Sequence, residues 1–508
     1  MFTKINSAAV IGLDCIAITA EVDIAGSWPG YQIIGLPDTS IQEAKERIRT
    51  AWKNTHLTFP SNSRVVINLA PADVRKEGSA YDLPMAVGMF VSSQKLSLDL
   101  RDSLFVGELA LDGTLRHTNG ILPIALFAKK NKMKRIFVPA VNALEASLIE
   151  EIEVYGVNTF EEVTLHITGI KLITQTISTH FDTWFESPKS DLDMAFIQGQ
   201  EFAKRALEIA ASGAHNCLLS GPPGSGKTLL ARTLPSILPK FSLPEAIEVS
   251  KIYSVAGLLK ENVPLITQRP FRAPHHTSSA TSIIGGGKFP RPGEISLSHR
   301  GVLFLDEFPE FPRHVLESLR QPLEDGIVTI SRAQGTVAYP ARFTLIASQN
   351  PCPCGFANDA EKECVCSAHT IVQYQKKVSG PILDRIDLHI EVARVPFEKL
   401  SSVELGESSQ KIRARVEVAH QRQQHRFQNS NCFANSEMSI KQIKECCTLD
   451  ERSNELLKNA TQKLQLSARG YHRILKLSRT IADLEGKDSI ELMHVAEALQ
   501  SRGKGVIG

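Results

Sequence analysis

Short apolar runs and helical stripes alternate along the first third of the chain. RVVINLAP (64–71) and RIFVPA (135–140) are unbroken apolar stretches of strand length, whereas SIQEAKERIRTAWKN (40–54) spaces its apolar residues three and four apart between charges. The opening MFTKINSAAVIGLDCIAITAEVDI reads as two short strands. A polar stretch, TISTHFDTWFESPKSDLD, follows and predicts a linker over 171–190. Beyond it CLLSG, GVLFLDE and FTLIASQ are strand-like and alternate with helical patterns, which argues for a mainly parallel sheet over 191–395. From 396 to 508 the chain is helical and charged, as in SQKIRARVEVAHQRQQHRF. The pattern predicts an α/β multidomain protein: an α/β domain over 1–170, the linker, an α/β core over 191–395 and a helical domain over 396–508.

Composition narrows the picture only a little. The chain has 508 residues, 42% of them hydrophobic, and a formal charge of +2, so any nucleic-acid site must be a local basic patch. No apolar run is long enough to span a membrane. The start lacks a basic n-region and is broken by Asp14 and Glu21, so no signal peptide is expected there and the cytoplasm is the expected compartment.

Chemistry concentrates in the middle third. CLLSGPPGSGKTLLARTL carries Gly221, Pro222, Pro223, Gly224, Ser225, Gly226, Lys227 and Thr228, with Leu229 next, between a strand and a helix. This is a Walker A pattern: glycines let backbone N–H groups curl around phosphates, the helix N-terminus adds its positive end, Lys227 reaches the β- and γ-phosphates and Thr228 holds Mg²⁺. GVLFLDE then ends a strand in Asp306, which would orient Mg²⁺, and Glu307, which would polarise the attacking water. A third strand ends at Asn350, placed to hold the same water, and Arg385 in GPILDRIDLHIEV precedes a fourth. Arginine is always charged and can stabilise phosphoryl-transfer charge from an adjacent subunit. ATP and Mg²⁺ are the implied ligands.

Four of the nine cysteines, Cys352, Cys354, Cys364 and Cys366, form two Cys-x-Cys pairs around a polar, turn-prone gap. Four thiolates are the complement of a tetrahedral structural Zn²⁺; a redox or iron–sulfur role and free thiols are the weaker alternatives. His369 is a spare ligand nearby, and His275–His276 reads as a structural or substrate contact rather than a metal site. The stretch ITQRPFRAPHHTSSATSIIGGGKFPRPGE is basic and glycine-rich, with Arg272, Lys288 and Arg291 as candidate DNA contacts, and DGIVTISRAQGTVAYPARF predicts a hairpin with Arg332 near its tip.

Walker A, Walker B, a polar sensor, a finger arginine and a helical lid are together the parts of an AAA+ ATPase. LDRIDL resembles the finger turn of the branch containing MCM helicases and magnesium chelatase ATPase subunits. SARGYHRILKLSRTIADLEG resembles its sensor 2, with Arg469 the better match and Arg473 a close second. NLAPADVRKEGSAYDLPMA, RPFRAPHHTSS, NPCPCG and SARGYHRILKLSRTIADL, taken together, resemble the ComM/YifB family of magnesium-chelatase-like AAA+ proteins over essentially the whole chain. That resemblance implies a homohexameric motor acting on single-stranded and branched DNA, a helicase driving branch migration in natural transformation, with recombination proteins as further partners and no membrane. A chelatase-type remodeller of a protein partner is the alternative.

VGELALDGTLRHTNGILPIALFAKKNKMKRIFVPAVN and VRKEGSAYDLPMAVG also resemble the proteolytic domain of Lon. Lon's nucleophile position holds Ala80, with Ser79 one place early, and its lysine position falls on Leu122 or Pro123, with Lys129 and Lys130 further along the helix. The Ser–Lys dyad is missing, which predicts an inactive binding or assembly scaffold rather than a peptidase.

Overall fold

The computed structural model describes residues 1–26, 29–55, 57–177, 192–260, 263–287, 290–332, 335–357, 359, 361–396, 405–430 and 432–502. The chain divides into two compact units, Met1–Phe185 with Leu243–Ile266, and Glu186–Ser242 with Thr267–Gly508. Of the expected linker, residues 178–190 lie outside the described residues.

The first unit is built on an eight-stranded mixed sheet, in the order Gln175–Thr176, Glu153–Val157, Arg135–Pro139, Ser103–Phe105, Phe2–Ile11, Asp14–Ala25, Arg64–Ala70, Gly30–Ile34. Phe2–Ile11 and Asp14–Ala25 run antiparallel in register from Phe2↔Asp23 to Ile11↔Asp14 and are long rather than short strands. Charge does not break them, because Ile18, Ala20 and Val22 face inward while Glu21 takes an alternate, outward position. The helix Thr39–Asn54 starts at Asp38, whose carboxylate accepts from the Ile41 amide at 2.8 Å, and buries Ile41, Ala44, Ile48, Ala51 and Trp52. The helix Asp82–Ser93 is buried from Asp82 to Ser92.

Leu243–Ile266 lies inside the stretch 191–395, yet it folds with the first unit. Its helix Leu243–Ala256 packs on the helix Ile121–Lys130. The Gly120 amide donates to the Ser254 carbonyl at 3.1 Å, and the Ser254 hydroxyl donates to Glu145 at 2.5 Å. Glu145 is buried but satisfied, since it also accepts from the Leu122 amide and the Asn142 side chain.

In the second unit five parallel strands follow the order Phe271–Arg272, Val302–Leu305, Thr344–Gln349, Cys217–Ser220, Leu388–Glu391. Near-continuous apolar strands of this kind need cover on both faces. Helices such as Glu201–Gly213 supply it, together with a helical region comprising Ser409–Phe427, Ile440–Cys446, Glu451–Lys463, Ala468–Leu484 and Leu492–Gln500. Among the described residues no helix is long and apolar enough to cross a membrane.

Candidate active site

Three neighbouring strands end on one edge of the five-stranded sheet, and each delivers part of the site. After Cys217–Ser220 the loop 221–226 turns through Gly224 (φ 76°) and Gly226 (φ 88°) into the helix Lys227–Thr233. Left-handed backbone at these two positions is what glycine permits. Lys227 is largely buried; its Nζ donates to the carbonyls of Gly221 and Pro222 at 2.7 and 2.8 Å and to Asn350 Oδ1 at 3.2 Å. Burial pushes its pKa down to about 8, against the opposing pull of Asp306.

Val302–Leu305 ends in Asp306 and Glu307. Thr228 Oγ1 donates to Asp306 Oδ2 at 2.8 Å, so the two residues expected at Mg²⁺ are in direct contact, and their oxygens are the hard donor set that ion takes. Ser348, from the strand Thr344–Gln349, donates to the other Asp306 oxygen and fixes its rotamer. Glu307 sits at φ 54°, ψ 47°, a left-handed conformation that costs a residue with a Cβ energy, and its carboxylate is exposed. Its Oε2 lies 3.3 Å from His276 Nδ1. Of the His275–His276 pair, His276 therefore meets the carboxylate and packs edge-on to Phe311, while His275 bonds the Thr277 hydroxyl at 2.8 Å. Ser348 and His276 carried no local signal of these roles, since each meets its partner only through the strand order.

Beyond Asn350 the cysteine loop begins. The four sulfurs lie within 4.8 Å of one another, with Cys352–Cys354, Cys352–Cys364 and Cys354–Cys364 separations of 3.4, 3.7 and 3.6 Å. Zn–S bonds of about 2.3 Å place tetrahedral sulfurs about 3.8 Å apart, so the residues fit that ion. The Ala357 amide donates to Cys352 Sγ at 3.3 Å, and the Phe356 amide holds the Cys354 thiol down to about 6. Asn358 and Ala360 of the intervening loop lie outside the described residues.

Arg385 follows the short helix Gly380–Leu383 and precedes Leu388–Glu391. Both Arg385 and Arg469 are ion-paired with Glu324. Arg473 is half-enclosed against Asp387 at 3.4 Å, and Asp387 also meets His215 at 3.3 Å. Burial alone would raise the Asp387 pKa; His215 and Arg473 bring it down to about 2.

Two small hairpins lie upstream of Asn350. Ile327–Arg332 pairs with Gly335–Pro340, in register up to Arg332↔Gly335, and Gly285–Gly286 pairs with Arg291–Pro292. They are joined: Tyr339 is fully buried and donates to the Pro290 carbonyl at 2.7 Å. Tyr339 is therefore a structural residue rather than an exposed aromatic on the hairpin. Arg291 is exposed, whereas Arg272 makes a bidentate pair with Glu294 at 2.5 and 2.7 Å. Lys288 lies outside the described residues, and of Arg332 only the backbone is described.

In the first unit Ser79 donates to Glu108, and Lys76, buried close by in sequence, donates to the Pro71 carbonyl. Leu122 is buried, with its amide on Glu145, and Lys129 pairs with Glu151 at 3.3 Å.

A phosphate loop, strand-end carboxylates and a helical region on a five-stranded parallel sheet define a P-loop ATPase of the AAA+ class. The comparisons with known proteins agree. A family model described as magnesium chelatase, subunit ChlI, matches residues 193–400; subunit ChlI of Mg-chelatase matches 20–142; and the ChlI C-terminal model matches 406–502. The chain is 42% identical to the competence protein ComM of Haemophilus influenzae over 98% of its own length and 97% of that protein. It is 39% identical to YifB of Escherichia coli over 98% and 96%, and 30% identical to the magnesium-chelatase 38 kDa subunit of Rhodobacter capsulatus over 30% and 49%. The chain belongs to the ComM/YifB family of magnesium-chelatase-like AAA+ ATPases.

Proposed function

We propose that this chain is a cytoplasmic ring motor, a homohexamer, that hydrolyses ATP to translocate on DNA and drives branch migration while incoming strands recombine in natural transformation. The observation that carries the reading is the joined pair of hairpins. One lies in sequence between the strands that end at Asp306 and Asn350, and the other between Phe271–Arg272 and the strand that ends at Asp306, so both are inserted between strands of the sheet that carries the phosphate site. With Tyr339 buried, the exposed side chains described on the hairpins are Arg291, Thr329, Ser331, Thr336 and Ala338, with Ile327 at the base, a set that suits tracking along a phosphate backbone better than gripping a polypeptide. The competence protein ComM of Haemophilus influenzae, similar over the full length, supports the biological setting.

In this reading the loop amides and Lys227 bind the triphosphate, and Thr228 and Asp306 hold Mg²⁺, which supplies charge neutralisation when bound. Glu307 orients and polarises the attacking water, helped by Asn350. The four cysteines hold a structural Zn²⁺ that keeps the loop after Asn350 in place. With Ser79 on Glu108, Lys76 on a backbone carbonyl, Leu122 at the dyad lysine's position and Lys129 on Glu151, these positions supply no nucleophile–base pair, and the first unit serves assembly or binding.

The test is ATP-dependent branch migration on a synthetic three-strand intermediate and a Holliday junction. Wild type should migrate both. Glu307→Gln should bind ATP normally and lose hydrolysis and migration by at least a hundredfold. Hydrolysis without migration, unchanged by any DNA, would instead favour a remodeller of a protein partner.

A further inference from the structure

Arg385 and Arg469 belong to different elements, one in the turn before Leu388–Glu391 and one in the first turn of Ala468–Leu484. Their guanidiniums meet on one carboxylate: Nη2 of Arg385 on Glu324 Oε2, and Nη2 of Arg469 on Glu324 Oε1 at 2.5 Å. Arg385 is 6% exposed, its Nη1 donates to the Pro381 carbonyl at 2.7 Å, and its Nε–H has no acceptor among the described residues. A buried guanidinium with an unmet donor retains capacity for another oxygen. Glu324 is 43% exposed, so solvent and salt weaken its hold. Arg473 is not part of this cluster; Asp387 and the Ile386 carbonyl take it up.

The sheet places the cluster away from its own chain's phosphate loop. Cys217 pairs with Leu388 and Ser220 with Glu391, in parallel. Arg385 precedes the start of that strand pair, while the loop 221–226 follows its end. Four strand residues separate the two edges by roughly 13 Å. A phosphate that reaches both arginines must therefore come from outside the chain. Two planar guanidiniums on one point also suit a multiply charged, three-oxygen phosphate better than a single carboxylate.

We propose that Glu324 is the resident counter-ion of an arginine clamp, holding Arg385 and Arg469 together in the free chain and yielding them to a nucleotide phosphate presented by a second copy. The inference rests on the ATPase reading and deepens it. It makes Glu324 a competitor of the productive contact, and it selects Arg469 over Arg473 as the arginine that acts with Arg385. Glu324 also lies three residues before the hairpin that starts at Ile327, so the exchange occurs at the hairpin's root.

The experiment measures ATP turnover per chain against concentration of the full-length protein, for wild type, Glu324→Gln, Arg385→Ala and the double variant, with melting temperatures alongside. Glu324→Gln should reach half-maximal turnover at a concentration at least threefold lower than wild type. Arg385→Ala should collapse turnover in both backgrounds. An unshifted curve, or lower turnover at unchanged melting, overturns the proposal; the latter would make Glu324 a positioning residue. Full turnover by Arg385→Ala, or turnover per chain independent of concentration, overturns the trans-acting reading instead. If Glu324→Gln melts more than about 5 °C low, Glu324→Asp, which keeps the charge one methylene shorter, decides by the same shift in half-maximal concentration.

Discussion

Gly221 stands where no side chain fits: a Cβ there would run into the Val392 carbonyl oxygen, a backbone atom that cannot swing aside. The first glycine of the phosphate loop is thus required by the adjacent backbone at Val392 as well as by the nucleotide. Gly221→Ala should push the loop off Val392 and weaken ATP binding at least tenfold, read by titration with a fluorescent nucleotide; unchanged affinity would mean that the loop relaxes freely. Lys227, Thr228, Asp306 and Asn350 were legible in the sequence because each follows a strand in a local pattern. Ser348, His276 and Glu324 were not, because their partners lie 42, 31 and at least 61 residues away and meet them only in the folded sheet.

At the scale of elements the cysteine knuckle is the clearest case of a short segment needing help. Gly355, at φ 85°, follows the first pair and is pressed against the Pro223 ring of the phosphate loop, so the knuckle buttresses the loop it follows in space. A segment this short does not bury enough to order itself, and metal binding would supply that free energy. Purified protein is expected to carry about one zinc per chain by elemental analysis. Cys364→Ser should lose the metal, melt several degrees lower and bind ATP more weakly than wild type. Zinc-free wild-type protein with full ATP affinity would sink the idea. The spacing of the four cysteines was readable from sequence, as was the pairing of the two runs of the hairpin, in register up to Arg332↔Gly335. The length of the first two strands was not, because Asp14 and Glu21 look like interruptions until the alternation turns Glu21 outward and Asp14 falls at the exposed turn end of its strand.

For the whole molecule, the alternation of strands and helices announced two α/β parts and a helical one, and the parallel sheet was legible in four of its strands but not in the short edge strand Phe271–Arg272. The excursion of Leu243–Ile266 into the first unit was not, since a helix such as LPEAIEVSKIYSVA has no local mark of the sheet it will cover. A fragment ending at Phe185 should leave the Ile121–Lys130 helix uncovered and Glu145 short of its Ser254 donor. Adding a peptide of residues 243–266 to that fragment should raise its melting temperature by a few degrees; no change would mean that the helix is dispensable.

The same excursion has a consequence during synthesis. A ribosome that has released Phe185 has made most of the first unit but not its last helix, and it must add the next 81 residues, through Ile266, before that unit is whole. At ordinary elongation rates the wait is roughly 4–16 s, during which an apolar face stays open and the phosphate-loop strand of the second unit is already emerging. The nascent chain is therefore committed to carrying two unfinished cores at once, a window in which a holding chaperone has something to hold.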